Sequence, residues 1–443
     1  MNCLRINDNS KAPKSNFSAI PNLAECLADK TLEQLDREGV FMLSNAVQDA
    51  DDVTEDQMVL QSVNGQYQTG NIMGFFGLGD ERLTVASRFC EADLFLQYLL
   101  AKVMDFPTIL NSPADASQDD RLFDFLIFLF PSYLRAALRK GPFKKYVNVR
   151  HNDDRLRGTI NVSRHIRENT PFIGTVAYDQ RELSYDNDLM ELIRHTVEYV
   201  KGRQYGRPLL ANVRDEVRLV VAATPGYRLS ERQKVVEKNA KSPVRHAYYR
   251  EYLALQKLCL LILRHRRHQI GSGAHQIYGV LVDGAWLWEE YLNTLIGEWF
   301  HHPKNKSRQG AQYLFSGSIG LIYPDFIGRD AQHRMIADAK YKPVGNINGS
   351  DYQQVLAYML RFDAKSGFYL YPDKDGETAK TLWVNQGSTY ESDIRPRDDL
   401  RIVKLGLAIP QNAVTHGDFA EKMAESERQF LAAFRQSVEQ API

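Results

Sequence analysis

The feature that most constrains this chain is a strand–turn–strand pattern that carries two carboxylates and a lysine. A predicted strand, residues 320–323, is followed by Asp325 and then by a turn rich in turn-forming residues. The second predicted strand, residues 334–341, contains Asp338 and Lys340. Because side chains alternate between the two faces of a strand, these two residues point the same way. If the two strands pair through the turn, as we expect, the three charged groups meet at a strand end.

These groups suit hydrolysis of a phosphodiester at a magnesium site. Mg²⁺ prefers oxygen ligands in octahedral geometry and keeps several waters, and it polarises a phosphoryl oxygen and helps to form hydroxide. A lysine beside the ion orients that water or stabilises the developing charge. We therefore predict Asp325 and Asp338 as ligands and Lys340 as their catalytic neighbour. The same three residues are also compatible with a surface hairpin whose charges are solvated.

Two predicted helices add polar residues to this pattern. Downstream of the second strand, Gln354 and Tyr358 are four residues apart and share one helix face. From that face they can hydrogen-bond the lysine, a DNA phosphate or a base. Upstream, a helix that opens near residue 284 carries two adjacent acidic residues, Glu289 and Glu290.

The order of these motifs resembles the PD-(D/E)xK nuclease superfamily. Its motif is represented here by Pro324-Asp325 and by Asp338-Ala339-Lys340, and a Gln-x-x-x-Tyr pair after the second strand resembles the RecB-like members. The superfamily often supplies one more acidic residue from its first helix. Glu289 fits that place, with Glu290 as the competitor.

A more specific resemblance is to the McrC-type nuclease subunits of the McrBC family of modification-dependent restriction systems. It runs from about residue 70 to the C-terminus. The segments that carry it are residues 287–292, 323–325 and 338–342, then Gln354 and Tyr358, and upstream of the nuclease motifs residues 156–160 and 184–189.

The resemblance implies an Mg²⁺-dependent endodeoxyribonuclease, with Mn²⁺ as a substitute ion, that cleaves double-stranded DNA. Members of this family cleave only together with a McrB-type AAA+ GTPase hexamer, which recognises DNA carrying 5-methylcytosine and translocates. The N-terminal region would dock on that GTPase and stimulate it. The predicted metal ligands are Asp325, Asp338, the carbonyl of Ala339, and Glu289; the other predicted site residues are Lys340, Gln354 and Tyr358.

A chain of 443 residues is too long for one hydrophobic core, so we expect several domains. We predict an α+β multidomain protein with three parts. These are a small β-rich partner-docking domain (1–110), a mainly helical middle domain with a long connecting helix (111–270), and a C-terminal α/β PD-(D/E)xK endonuclease domain, a mixed sheet flanked by helices (271–443).

Composition and motifs exclude several other classes of protein. With 55 basic and 55 acidic residues the formal net charge is zero, so DNA contacts must come from local basic patches. Lys304, Lys306 and Arg308 are candidates, although such a run is more typical of a solvated loop. No G-x-x-x-x-G-K-[ST] motif occurs, which excludes a P-loop NTPase. The four cysteines form no C-x-x-C pair. No apolar run is long enough to span a membrane, so we expect a cytoplasmic protein without membrane contact.

Two other functions fit the sequence. A stand-alone RecB-like repair nuclease would cut DNA without a GTPase. A non-catalytic adaptor would activate a partner NTPase, but it has no chemical need for Asp325, Asp338 and Lys340 together.

Overall fold

The computed structural model describes most of the chain. The described residues are 2–38, 40–42, 57–90, 94–103, 118–203, 206–268, 277–303, 312–374, 376, 379–388, 394–413 and 415–440. The basic residues at positions 304, 306 and 308, singled out in the sequence, lie outside them. Of the helices described, none is long and apolar enough to cross a membrane.

The strands, in chain order, are β1 (Asn2–Asn7), β2 (Lys11–Pro13), β3 (Val40–Met42), β4 (Leu60–Val63), β5 (Gln66–Thr69), β6 (Ile72–Leu78), β7 (Glu81–Ala86), β8 (Lys145–Asp153), β9 (Thr159–Ile160), β10 (Val176–Ser184), β11 (Tyr278–Asp283), β12 (Phe300–His301), β13 (Gln312–Phe315), β14 (Ile319–Ile322), β15 (Phe326–Gly328), β16 (Met335–Ala339), β17 (Ser366–Asp373), β18 (Lys380–Gln386) and β19 (Arg395–Ala408).

The α-helices, in chain order, are α1 (Pro21–Leu27), α2 (Leu32–Glu38), α3 (Leu94–Val103), α4 (Gln118–Leu138), α5 (Val162–Glu168), α6 (Asp188–Lys201), α7 (Gly206–Ala211), α8 (Arg214–Ala223), α9 (Arg232–Lys241), α10 (Glu251–His268), α11 (Gly284–Ile296), α12 (Gly349–Phe362) and α13 (His416–Glu439).

The chain divides into two compact units. One unit contains Met1–Asp115 and Gly273–Ile443, and the other contains Ala116–Ser272. The first unit therefore combines the segments that we predicted as the first and third domains. The structural reason is strand β11, which follows the second unit in the chain but pairs with β6 and β3 of the N-terminal sheet.

The N-terminal sheet of the first unit has the strand order β1-β7-β6-β11-β3. Strand β11 pairs antiparallel with β6, and the two backbones approach closely at Gly74. A Cβ atom there would lie 2.1 Å from the carbonyl oxygen of Val280, and the φ angle of Gly74 is +154°, so only glycine fits. Strand β11 then leads directly into α11, whose first turn is capped by the side chain of Asp283. This sheet thereby positions the helix that carries Glu289.

The second sheet of the first unit is mixed, with the strand order β12-β15-β16-β17-β19-β18. Strands β16, β17 and β19 are parallel, and the outer strands are antiparallel to their neighbours. Helix α12 covers one face, where Val355 and Met359 pack close to Gly367. Helix α13 covers the other face, where Phe434 contacts Phe368. The predicted mixed sheet flanked by helices is confirmed.

The predicted pairing of residues 320–323 with the strand that contains Asp338 is wrong. Strand β14 forms a two-stranded hairpin with β13, and the strand that pairs with β16 is β15. Pro324 lies between β14 and β15, and proline cannot donate a hydrogen bond to a strand ladder. Asp325 consequently stands immediately before its pairing strand, not at the end of one.

The second unit combines helices with a three-stranded antiparallel sheet in the order β8-β10-β9. Helix α10 packs on α4 and α6, and α6 packs on α9. The sequence defines α6 well, because Asn187 caps its first turn by accepting hydrogen bonds from the backbone nitrogens of Leu189 and Met190. We predicted a mainly helical region here, and the described residues add this sheet to the helices.

Candidate active site

Asp325 and Asp338 are brought together by the pairing of β15 with β16. Phe326 lies opposite Ala337 in this antiparallel pair, so the residue before β15 comes next to Asp338. One carboxylate oxygen of Asp325, Oδ2, accepts a hydrogen bond of 2.8 Å from the backbone nitrogen of Ala339. The first carboxylate is therefore fixed to the backbone of the strand that carries the second.

Lys340 lies between the acidic residues and helix α12. Its Nζ atom is 2.7 Å from Oδ2 of Asp338, which is only 2% exposed. The ammonium group also donates a hydrogen bond of 3.0 Å to Oε1 of Gln354, and it lies 3.5 Å from Oδ1 of Asp351. Asp338 and Lys340 thus point the same way, as strand alternation predicted.

The two polar residues predicted on α12 extend this contact. Nε2 of Gln354 donates a hydrogen bond of 2.8 Å to the hydroxyl of Tyr358. That hydroxyl donates one of 3.3 Å to the carbonyl oxygen of Tyr323, two residues before Asp325. A continuous path of hydrogen bonds therefore joins Lys340, through α12, to the segment that carries the first carboxylate.

The two glutamates of α11 meet His302, a residue that our sequence analysis did not single out. Nδ1 of His302 donates a hydrogen bond of 3.0 Å to the backbone carbonyl of Asp325 and lies 3.6 Å from Oε1 of Glu289. Nε2 lies 3.5 Å from Oε1 of Glu290. The ring stacks on Phe326, with a centroid distance of 5.0 Å. Nothing in the sequence around His302 marks it, since its contacts are all with distant segments.

The electrostatics of the site favour binding of a cation. Removal of its carboxyl group from water raises the pKa of Asp325 well above its ordinary value, and the charges of Glu289 and Asp338 raise it further. Burial also raises the pKa of Asp338, which Lys340 opposes. For Lys340, burial lowers the pKa, but the Asp338 carboxylate outweighs this effect and leaves it raised. The carboxylates of Asp325, Asp338 and Glu289 therefore repel one another, and the charge of Lys340 offsets this repulsion only in part.

The candidate site suits a magnesium ion that keeps several bound waters better than a metal ion held by side chains alone. In the part of the chain that the structure describes, no group of three or more His, Cys, Asp or Glu side chains is arranged so that it could hold a metal ion. Mg²⁺, however, binds through one or two carboxylates and keeps several waters. Oδ2 of Asp338 is buried, and among the described residues its polar partner is the ammonium group of Lys340. An oxygen ligand of this kind suits a hard cation.

Comparison with known proteins identifies the family. Residues 67–372 match the model of a family described as McrBC 5-methylcytosine restriction system component. The chain belongs to this family. The resemblance to the McrBC family stated from the sequence is thereby confirmed. No curated protein matches the chain.

Two solved structures from Thermococcus gammatolerans are similar to this McrBC family member. One is a half-complex from a tetradecameric assembly of McrB AAA+ hexamers with bound McrC; the match has 15% identity and a TM-score of 0.48, and covers 98% of this chain and 99% of that one. The other is a cryo-EM structure of the McrBC complex, with 16% identity, a TM-score of 0.28, and coverage of 67% and 87%.

A second residue of this McrBC family member that the sequence analysis missed is Asp351. Its Oδ2 atom accepts hydrogen bonds from Nζ of Lys342, at 2.6 Å, and from the backbone nitrogen of Asn348, at 2.8 Å. The Asn348 side chain in turn accepts from the backbone at Asp351, which completes a capping box at the start of α12. The N-x-x-D spacing was therefore a signal that could have identified Asp351. Burial raises the pKa of Asp351, but the bond from Lys342 outweighs it and leaves the pKa lowered.

The residue after Lys340 anchors the candidate site to the N-terminal sheet. The hydroxyl of Tyr341 lies 2.7 Å from Oγ of Ser87, just beyond β7. The guanidinium of Arg88 donates to the backbone carbonyl of Tyr341 and packs over its ring. Arg88 also forms an ion pair of 3.8 Å with Asp8. In this family member the site is thus attached to both sheets of the first unit.

Proposed function

We propose that this chain is the McrC-type nuclease subunit of a modification-dependent restriction system and that it hydrolyses DNA phosphodiester bonds with Mg²⁺. The observation that carries the proposal is the convergence of Asp325, Asp338 and Lys340 within one network. The backbone of Ala339 holds the first carboxylate, and the ammonium of Lys340 lies 2.7 Å from the second. A PD-(D/E)xK core is the arrangement that needs these groups in this order.

Each residue has a distinct task in the proposed reaction. Asp325, Asp338 and the carbonyl of Ala339 hold Mg²⁺, with Glu289 as a further acidic ligand, and Mn²⁺ can substitute. The bound ion supplies Lewis-acid polarisation of the phosphoryl oxygen. Lys340 orients the attacking water and stabilises the charge that develops on the phosphate.

Helix α12 fixes the position of that lysine. Gln354 accepts a hydrogen bond from the ammonium group, and Tyr358 holds Gln354 in turn. Asp351, 3.5 Å from the same ammonium group, attracts it as well. These positioning contacts limit the rotamers of a long side chain before substrate binds, which favours a productive geometry.

The proposed partner is a McrB-type AAA+ GTPase hexamer that recognises 5-methylcytosine in double-stranded DNA. The sequence supports this division of labour because it lacks a P-loop. We proposed docking through the N-terminal region. The second unit adds a candidate contact surface, residues 156–173, which we call the apolar segment. Its large hydrophobic side chains that are exposed to solvent are Leu156, Ile160, Val162, Ile166, Phe172 and Ile173. Contiguous exposed apolar patches mark protein–protein contacts, and six large exposed apolar side chains within residues 156–173 make this segment a candidate for one.

The direct test is reconstitution with the AAA+ GTPase whose gene lies nearest to the gene for this chain. We expect cleavage of methylated duplex DNA only when both proteins, GTP and Mg²⁺ are present. Cleavage by this chain with Mg²⁺ alone would instead identify a RecB-like repair nuclease. Undiminished cleavage by a complex that contains Lys340→Ala would identify a non-catalytic adaptor.

A further inference from the structure

His302 directly follows strand β12, and the mixed sheet brings its ring to the candidate active site. Strand β12 pairs antiparallel with β15, and His301 lies opposite Ile327 in this pair. Continuation of the same register places His302 opposite Phe326, and the two rings stack with a centroid distance of 5.0 Å. The imidazole is thereby fixed next to the residue that follows Asp325.

Both ring nitrogens of His302 face oxygen acceptors. Nδ1 donates a hydrogen bond of 3.0 Å to the carbonyl oxygen of Asp325 and lies 3.6 Å from Oε1 of Glu289. Nε2 lies 3.5 Å from Oε1 of Glu290. Burial lowers the pKa of His302, but Glu290 and the carbonyl of Asp325 outweigh this effect and leave the pKa raised, which favours the ring with a proton on each nitrogen. The ring therefore has a donor for each side.

The bond from Nδ1 fixes the backbone of a proposed metal ligand. The side chain of Asp325 is already held by the backbone nitrogen of Ala339, at 2.8 Å. With His302 on its carbonyl oxygen, Asp325 is held at both its side chain and its backbone. This support matters because the carboxylates of Glu289 and Asp338 repel that of Asp325 before a cation binds. Groups that hold a ligand in this way orient it and raise the affinity of the site for its metal.

The two adjacent glutamates of α11 have different surroundings. Neighbouring residues of a helix project about 100° apart around its axis, so Glu289 and Glu290 point in different directions. The Glu289 side chain is 18% exposed, and its charge acts on the carboxyl group of Asp325. The Glu290 side chain is 33% exposed, and its charge acts on His302. Glu289 is thus the inner acidic group, and Glu290 is the partner of the imidazole.

We propose that His302 is a positioning residue of the candidate active site, which fixes the backbone of Asp325 and holds Glu290, so that Glu289 is the glutamate that faces the bound ion. This inference rests on the proposed nuclease function, because it assigns a role at the same metal site. His302 contacts neither the ion nor the reacting phosphate in this arrangement. It acts on the affinity for the metal and leaves the affinity for DNA unchanged.

The experiment measures Mn²⁺ binding to the full chain alone, from the electron paramagnetic resonance signal of the free ion. His302→Phe keeps a ring on Phe326 and removes both donors, so we expect the dissociation constant for Mn²⁺ to rise about 10-fold. His302→Asn places an amide nitrogen where Nδ1 lies and should bind Mn²⁺ nearly as tightly as the wild type. His302→Gln reaches only toward Glu290 and should bind it more weakly than His302→Asn. The matched control is His301→Phe, which removes the neighbouring, exposed imidazole that contacts Arg329.

Two further measurements separate a positioning role from a merely structural one. In the complex with the GTPase, His302→Phe should raise the Mg²⁺ concentration for half-maximal cleavage by the same factor, with the KM for DNA unchanged. On the chain alone, Glu289→Gln should weaken Mn²⁺ binding. Glu290→Gln should not, because its amide oxygen still accepts a hydrogen bond from Nε2 of His302.

The outcomes distinguish this inference from the nuclease proposal. Wild-type Mn²⁺ affinity in a His302→Phe protein that melts like the wild type would overturn the positioning role. If that variant does not fold, equal affinities of His302→Asn and His302→Gln would overturn it instead. A loss of Mn²⁺ binding in Glu290→Gln as large as that in Glu289→Gln would overturn the assignment of the two glutamates. Mn²⁺ binding that depends on His302, in a chain that never cleaves DNA with its GTPase, would support the positioning role and overturn the nuclease.

Discussion

The carboxylate of Asp325 accepts a hydrogen bond of 2.8 Å from the backbone nitrogen of Ala339. This bond fixes one acidic residue to the strand that presents the other, Asp338, even though the hairpin before Asp325 is not paired with that strand. The separation of the two carboxylates is therefore held by a short local contact. A site built in this way keeps its shape although its acidic groups repel one another before a cation binds.

Replacement of Asp338 by Asn should abolish metal-dependent DNA cleavage. The amide has nearly the same size but lacks the charge that holds Mg²⁺, and we expect the cleavage rate of the complex with its GTPase to fall at least about 100-fold. Stimulation of the GTPase should be retained. The matched control is Asp330→Asn, which changes an exposed aspartate in the turn before β16. A complex with Asp338→Asn that cuts at the wild-type rate would show that Asp338 is not a metal ligand.

The raised pKa of Asp325 should make the stability of the metal-free protein depend on pH. The ordinary value is 3.8, and burial together with Glu289 and Asp338 raises the pKa well above it in the folded state. The folded protein therefore holds this proton at pH values where the unfolded chain has lost it. The free energy of unfolding consequently falls as the pH rises through that window, and it stays lower above it. We expect chelator-treated protein to melt at a higher temperature near pH 5 than near pH 7.5.

Asp325→Asn isolates this contribution. The variant should melt at a higher temperature than the wild type at neutral pH without metal, and Mg²⁺ should stabilise only the wild type. The control is Asp8→Asn, because burial also raises the pKa of Asp8, to about 6, and gives a dependence of the same sign from a carboxyl that is not a proposed metal ligand. If Asp325→Asn has the same pH dependence as the wild type, the buried carboxyl is not the cause.

The local part of the site could be predicted from the sequence. Strand alternation is a property of the backbone, so Asp338 and Lys340 had to share a face. In the same way, helical spacing placed Gln354 and Tyr358 together. These predictions required only the spacing between residues that are close together in the chain. The helix that carries Glu289 was placed by the resemblance to a known superfamily, since no local rule brings α11 to β16.

The non-local part of the site could not be predicted. Strand partners depend on the whole sheet, and the turn before β16 gave no sign that β15, and not β14, would pair there. His302 contacts the backbone of Asp325 and two glutamates of another helix, so no short pattern contains it. Asp351 could have been identified in the sequence from the spacing of its capping box, but its contact with Lys340 depends on how α12 packs on the sheet.

Replacement of Asp351 by Asn should slow cleavage by releasing Lys340 and Lys342. The charge of Asp351 holds both ammonium groups, and loss of such a supporting contact typically costs about 10-fold in activity. We expect the loss in kcat, with little change in KM. The matched control is Asn348→Ala, which breaks the same capping box, at a cost of about 1 kcal/mol, without touching either lysine. Equal loss of kcat in both variants would mean that Asp351 acts only as a helix cap.

Gln354 and Tyr358 should act as one unit in a double-mutant cycle. Tyr358 contacts Lys340 through Gln354, so Tyr358→Phe should lower kcat by about 3-fold in the wild-type background and by less in a Gln354→Met background, where the hydroxyl keeps its bond to the Tyr323 carbonyl. The measurement is the cleavage rate of the four proteins with the same GTPase and DNA. Tyr352→Phe, which removes a hydroxyl on the same helix that donates to Ile347, is the control. Additive losses would show that Tyr358 acts independently, for instance by contacting DNA.

The apolar segment of the second unit should be required to stimulate the GTPase. Phe172 and Ile173 are 65% and 73% exposed, and burial of such side chains in a partner's surface contributes about 1.5–3 kcal/mol each. We expect the double variant Phe172→Ser, Ile173→Ser to raise the concentration for half-maximal GTPase stimulation at least about 10-fold. The matched control is Phe315→Ser, Ile319→Ser, a pair that is 62% and 63% exposed in the β13–β14 hairpin of the first unit. Loss of stimulation by the control pair alone would place the partner contact on the first unit, which is where the predicted N-terminal docking region lies.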